Sequence, residues 1–214
     1  QWRVIAGGSK QYVEKLVSPF AQKIHLSTPV TRVHRTRDYV ELAYADRDNE
    51  RFDQVIFATH SDQALKILAD PTDDERTILG AVPYQENNTV LHTDDTLLPR
   101  NRKAWSSWNY AILPDQAERA AVTYNMNMLQ SIKAAETFCV SLNMQHRIET
   151  EKILGRYLYH HPVYLEGSVP AQEAHGVISG QNRTHYCGAY WGYGFHEDGV
   201  KSGLAVGKYF GKSL

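Results

Sequence analysis

Apolar residues change their period along the chain, and the changes predict its elements. Behind Ser9, a candidate N-cap, Tyr12, Val13, Leu16 and Val17 recur at helical spacing, which predicts a helix over residues 9–22. From Ile24 to Tyr44 the pattern mostly alternates (Ile24, Leu26, Val30, Val33, Val40, Leu42, Tyr44), with "RTRD" as a turn, so strands are expected. "VIFA", residues 55–58, is apolar without alternation, as in a buried parallel strand, and a polar turn and short helix follow it.

The texture shifts at Pro71. "PTDDERTILGAVPY" reads as a capped helix running into a sheet. Period-two segments follow: "NNTVLHTD", "AWSSWNYAI", "AAVTYNMNML", "TFCVSLN" and "ILGRYLYHHPVY". Short strands at this spacing predict an antiparallel sheet. The helix-like "VPAQEAHGVISG" then leads to a strand, "THYCGAY", and a final helix. The ends therefore read as α/β and the middle as antiparallel α+β. Two strand–helix units cannot cover both faces of a parallel sheet alone, so the ends are expected to belong to a larger doubly wound sheet whose first strands lie outside this sequence.

Composition narrows the class. The 214 residues are 42% apolar and 22% charged, with a net charge of −1, which suits a folded chain with a sizeable core. No basic stripe points to nucleic acid, and no apolar run is long enough for a transmembrane helix. Cys139 and Cys187 lie far apart among apolar and aromatic neighbours, which fits buried thiols in a reducing, cytoplasmic setting. The start "QWRVIAGGS" has no initiator Met and no signal-peptide pattern, so residues upstream are expected. No Ser-His-Asp or nucleophilic-cysteine pattern stands out. His160 and His161 are adjacent on a predicted strand and would face opposite ways, so no metal site is expected.

The richest segment is "HYCGAYWGYGFHEDGVKSGLAVGKYF", residues 185–210. Gly188 closes the strand without a side chain, Gly192 and Gly194 permit a turn, and acids open the helix. Such a strand–turn–helix presents free amides and a partial positive charge to an anionic group, or it is an ordinary β–α corner. The aromatics Trp108 and Tyr110, on one face of a predicted strand with Trp105 opposite, could line an apolar pocket or pack a core. Tyr190, Trp191 and Tyr193 sit inside the glycine turn and are better placed to flank a cofactor or substrate.

In order, "IAGGSKQYVEKL", "IHLSTPVTRVHR", "FDQVIFATHSDQAL" and "YCGAYWGYGFHEDGVKSGLAVG" resemble the C-terminal portion of flavin-containing amine-oxidase-like oxidoreductases. "VLHTD" and "AWSSWNY" are similar to a narrower group of bacterial FAD/NAD-binding proteins often encoded near cyclopropane-fatty-acid synthases, and to the oxidase-like region fused ahead of plant cyclopropane synthases. The resemblance implies an FAD-binding doubly wound domain, here residues 1–70 and 166–214, interrupted by an antiparallel substrate domain over 71–165. It implies hydride transfer from an apolar, lipid-like or amine substrate to flavin. By position it implies Val30 at adenine, Ala58 at the strand end nearing the cofactor, Gly188 and Ala189 by the pyrophosphate or ribityl chain, and Phe195, His196 and Glu197 beside the isoalloxazine. Many family members carry an acid where this chain has Ala189. The GxGxxG turn and ribose-binding acid of such domains are not in this sequence, and "AGG" at Ala6–Gly8 is not that motif. FAD is therefore expected in a full-length protein, with little or none held by these residues alone, and self-association through the uncovered sheet edge is expected. The other reading is a non-catalytic binding or assembly module on the same scaffold.

Overall fold

The computed structural model describes residues 4–112 and 120–213. In chain order the elements are α1 (Lys10–Val17), β1 (Val30–Arg35), β2 (Val40–Tyr44), β3 (Glu50–Phe52), β4 (Val55–Phe57), α2 (Ser61–Ile67), α3 (Asp73–Gly80), β5 (Tyr84–His92) and β6 (Trp108–Ala111). They continue as β7 (Ala121–Asn125), α4 (Met126–Gln130), β8 (Cys139–Leu142), β9 (Ile153–Pro162), α5 (Ser168–Glu173), α6 (His175–Ile178), β10 (Thr184–Tyr186) and α7 (His196–Tyr209). The chain divides by contact into a first unit, residues 4–23 with Glu86–His161, and a second unit, Ile24–Gln85 with residues 162–213. None of the described helices is long and apolar enough to cross a membrane.

The first unit carries a five-stranded sheet in the order β6-β7-β8-β5-β9, in which β6–β7, β7–β8 and β5–β8 pair antiparallel. Its inner face is more polar than most cores. Buried His92, Thr123 and Ser141 bond to one another instead of packing as hydrocarbon.

The second unit holds an antiparallel sheet, β1-β2-β3, and a parallel pair, β10-β4. Thr36 turns β1 into β2: its hydroxyl accepts the Asp38 and Tyr39 amides. Val33, Val40, Phe57, Leu79, Ile178 and Tyr186 form the buried core that joins the two sheets to the helices. Within it lies a charged centre. Arg35 Nη1 and Nη2 donate to the Glu75 carboxylate at 2.5 and 2.9 Å, Nη2 also to the Asp70 carbonyl at 2.7 Å, and Tyr186 Oη donates to Glu75 Oε1 at 2.7 Å. Glu75 completes the capping box of α3: its carboxylate accepts the Thr72 amide at 2.8 Å, and Thr72 Oγ1 accepts the Glu75 amide at 3.2 Å.

Four expectations need correction. Residues 24–29 are not strand: Ser27 sits at φ 53°, Pro29 has no N–H to donate, and β1 begins at Val30. The first helix stops at Val17 and continues as a distorted 3-10 segment, Ser18–Lys23, because Pro19 cannot carry on its hydrogen-bond ladder; Ser9 makes no capping bond. The strand expected through "AAVTYNMNML" ends at Asn125, whose side chain accepts the Met128 amide and starts α4. Trp105 is not on a strand; it follows the 3-10 turn Arg102–Ala104 and its indole donates to the Pro99 carbonyl.

The charged centre should be costly to break. Side-chain exposure is 3% for Arg35 and 2% for Glu75, so Glu75→Ala would leave a buried guanidinium without its main partner. We expect a loss of about 3–5 kcal/mol in urea unfolding; a loss under about 1 kcal/mol would show the pair to be dispensable.

Acid should act through named groups. Burial alone would push the Glu75 and Asp94 carboxyls up, but the donors around them outweigh it and hold both below the ordinary range. Their stabilisation is complete above that range and is lost as protons arrive. Burial lowers His92, because the imidazolium is disfavoured there. The sign is the same, but the loss begins as pH falls through the unfolded histidine range, about 6.5. His185, also lowered by burial, adds to it. The urea midpoint should drop between about pH 7 and 5.5, and His92→Gln should shallow that drop. An unchanged slope in the variant would contradict the assignment.

Candidate functional site: the strand ends and the glycine turn

Parallel pairing brings two chain segments to one point. Tyr186 pairs with Phe57, their rings stack at 5.4 Å, and the Cys187 amide donates to the Phe57 carbonyl at 2.9 Å. Ala58 and Gly188 therefore leave the carboxyl ends of β4 and β10 side by side. In open parallel sheets this end is where ligands bind. Ala58 is exposed and small. Gly188 has φ 158°, and a Cβ there would fall 2.5 Å from the Tyr190 ring. The glycine is required by its own neighbour, whether or not a ligand approaches.

From Gly188 the chain makes a 3-10 turn, Ala189–Trp191, and reaches α7 through Phe195. Two side chains hold this path. Gln172 Nε2, on α5, donates to the Tyr190 and Gly192 carbonyls at 2.8 and 2.6 Å. Asp198 Oδ2, in the first turn of α7, accepts the Tyr193 and Phe195 amides, each at 3.0 Å. Gly192 leaves room for that carboxylate, since a Cβ would sit 2.6 Å from its carbon, and Gly194 takes φ 87°. Ser202 accepts the Gly188 amide at 2.8 Å and ties the strand end to the helix.

Two polar groups at the turn make no well-formed hydrogen bond among the described residues. Tyr190 is 4% exposed; its hydroxyl feels the Trp191 indole N–H, yet burial outweighs that and pushes it far above the ordinary phenol value. The buried Trp191 Nε1–H has no better partner among the described residues. The Trp191 ring meets His175 edge-on at 4.5 Å, and His175 Nε2 donates to the Tyr186 carbonyl at 2.7 Å. An open cleft of about 250 Å³, lined by Gln172, His175, Trp191, Asp198, Lys201 and Ala205 among others, runs along this side of α7.

Of the residues singled out in the sequence, Ala58, Gly188 and Ala189 fall at the strand ends. Phe195 precedes α7, half-exposed, and His196 and Glu197 open it; Glu197 lies 3.7 Å from Lys201, one turn on. Val30 starts β1 on the antiparallel sheet and packs on the core. Trp108 and Tyr110 point outward from β6 in the first unit, 56% and 67% exposed. In the second unit Tyr190 is buried, Trp191 half-buried and Tyr193 exposed. Gln172, Asp198 and Ser202 were missed. An acid four residues after the last glycine of the turn was a signal for Asp198; nothing local marked Gln172.

The first unit contains a serine, a histidine and an aspartate in proximity, but wired for structure. His92 Nδ1 accepts the Asp94 amide, so the proton is on Nε2, which donates to Ser141 Oγ at 2.8 Å. Ser141 passes its own hydrogen to Thr123, and Thr123 donates to Met144 Sδ. An imidazole that donates to a serine cannot take its proton. The Asp94 carboxylate instead accepts the Thr96 and Glu149 amides. Among the described residues no cluster of three or more His, Cys, Asp or Glu side chains could hold a metal.

Small residues thus end the parallel strand pair, and a glycine turn leads from it to the start of α7. The chain belongs to the flavin-containing amine oxidoreductases: the family's model matches residues 1–128. No curated protein matches it. Its fold is similar to that of wild-type putrescine oxidase bound to putrescine, at TM-score 0.63 and 10% identity over 96% of this chain and 53% of that one. Cyclohexylamine oxidase from Brevibacterium oxydans gives 0.57 and 13% over 96% and 53%. A CLA-producing fatty acid isomerase from P. acnes gives 0.59 and 15% over 86% and 47%. The chain thus spans about half the length of these structures. Its mixed α/β fold with antiparallel sheets corresponds to part of theirs.

The Tyr190 hydroxyl, which makes no well-formed hydrogen bond among the described residues, generates a test. Removing a buried group so weakly bonded should be neutral or mildly stabilising, so Tyr190→Phe should change unfolding free energy by no more than about 0.5 kcal/mol for the worse. A loss above about 1 kcal/mol would reveal a partner for that hydroxyl.

Proposed function

We propose that these residues form the C-terminal part of an FAD-dependent oxidoreductase that takes hydride from a C–H or C–N bond of an apolar or amine substrate. The observation that carries the reading is the meeting of Ala58, Gly188 and Ala189 at the carboxyl ends of β4 and β10, just before the first turn of α7. Small side chains there let a ribityl–pyrophosphate chain near the backbone, and first-turn amides can face an anionic flavin edge. The buried Tyr190 hydroxyl and Trp191 indole, which make no well-formed hydrogen bond among the described residues, support the fit. Bound FAD would supply the hydride acceptor.

In this reading Ala58, Gly188 and Ala189 border the cofactor chain, and Phe195, His196 and Glu197 border the ring. Val30 meets adenine, and Tyr190, Trp191 and Tyr193 contribute to ring contacts in the second unit; Trp108 and Tyr110 are substrate-contact candidates of the first unit by itself. The β4–β10 pair is one part of a doubly wound sheet, and its uncovered edge could otherwise bring two copies together. The free thiols of Cys139 and Cys187 fit a cytoplasmic protein. A non-catalytic module on the same scaffold has one observation in its favour: Tyr190, Gln172 and Asp198 already fill or bond much of the turn themselves.

Glycine replacements in the turn cannot separate these readings, because Gly194 at φ 87° and Gly188 beside Tyr190 are strained by any side chain. Ala58 can. It is exposed, so Ala58→Trp should leave the urea midpoint unchanged while lowering FAD content of the full-length protein at least about tenfold. Equal flavin content in the variant would contradict a cofactor at the strand ends.

A further inference from the structure

We propose that Gln172 and Asp198 are positioning residues that hold the 189–195 turn from two sides. The proposal rests on reading that turn as cofactor-facing. The turn has little structure of its own: its internal bonds run from the Trp191 amide to Gly188 and from the Gly192 and Gly194 amides to Ala189. Four more of its backbone groups are divided by sign. Two carbonyls, of Tyr190 and Gly192, go to the Gln172 amide nitrogen. Two amides, of Tyr193 and Phe195, go to one Asp198 oxygen. The two side chains come from separate helices, so the turn's position is fixed relative to both α5 and α7.

Asp198 holds the turn and the helix end together, because Phe195, whose amide its carboxylate accepts, is the N-cap of α7. Its acceptor bonds run backwards into the turn, and the Asp198 amide itself donates to the Phe195 carbonyl. Gly192 matches this role: its hydrogen faces the carboxylate where any Cβ would collide. An acid placed only to complement the helix dipole would not need two turn amides on a single oxygen.

Amide hydrogen exchange on the full-length protein, before any cofactor is added, tests the role. Asp198→Ala should speed exchange of the Tyr193 and Phe195 amides at least about tenfold, and Asp198→Asn, which keeps an acceptor oxygen, should stay within about threefold of wild type. The Ala69 amide, bonded to Val33 in the core, and the interior amides of α7 should keep their rates. Gln172→Ala should speed the same two turn amides more weakly. Unchanged turn exchange in Asp198→Ala, an asparagine variant as fast as the alanine one, or equal acceleration in the core or α7 would each overturn the proposal. In the full-length protein the FAD dissociation constant should rise for Asp198→Ala and recover for Asp198→Asn; an unchanged constant for the alanine variant would overturn the role toward cofactor. A wild-type protein that binds no FAD would refute the cofactor reading, and the exchange result would still decide the positioning role.

Discussion

The second unit is organised by one buried guanidinium. Arg35 ends β1, Glu75 belongs to α3, and Tyr186 ends β10, and the three meet with every strong donor pointed at a carboxylate or carbonyl. Burying such ions carries a desolvation cost that their attraction barely offsets. What the pair supplies is uniqueness: slipping β1 by one residue would turn Arg35 to the other face and leave Glu75 buried and alone. The Tyr186 hydroxyl ties β10 to the same centre. Since Tyr186 also stacks on Phe57, the centre sets where both parallel strands end. The position of the candidate site is thus decided a few residues upstream of it, by electrostatics in the core.

Beyond the strand ends, control passes from sheet to side chains. The turn is not a flexible glycine hinge. Gly188 accommodates the Tyr190 ring, Gly192 accommodates Asp198, and only Gly194 uses glycine's left-handed backbone. The glycines therefore report internal packing first and ligand approach second. In the proposed reading, the buried Tyr190 hydroxyl and Trp191 indole, which make no well-formed hydrogen bond among the described residues, suit a polar, ring-bearing ligand.

Much of this was legible in the sequence where a local rule applied. Thr72 and Glu75, three residues apart ahead of an apolar run, announced the capping box, and the acids after Gly194 announced α7. Rules failed where a single residue overrode a pattern. Asn125 turned an alternating segment into a helix start, and Pro19 cut a helical period short. Met126 and Met128 continued a period-two pattern that no strand uses. Long-range pairs left no trace: Arg35 and Glu75 look like ordinary surface charges in sequence, and Gln172 looks like a helix filler. Their roles arise only when three elements converge, which no window of adjacent residues contains.

The claim that most needs testing is that the strand-end site holds a flavin. Purified full-length protein, examined by absorbance and by mass spectrometry of what denaturation releases, answers it directly. The account predicts a yellow protein with flavin bands and FAD released at close to one per chain. A colourless, folded protein that takes up no added FAD would contradict it.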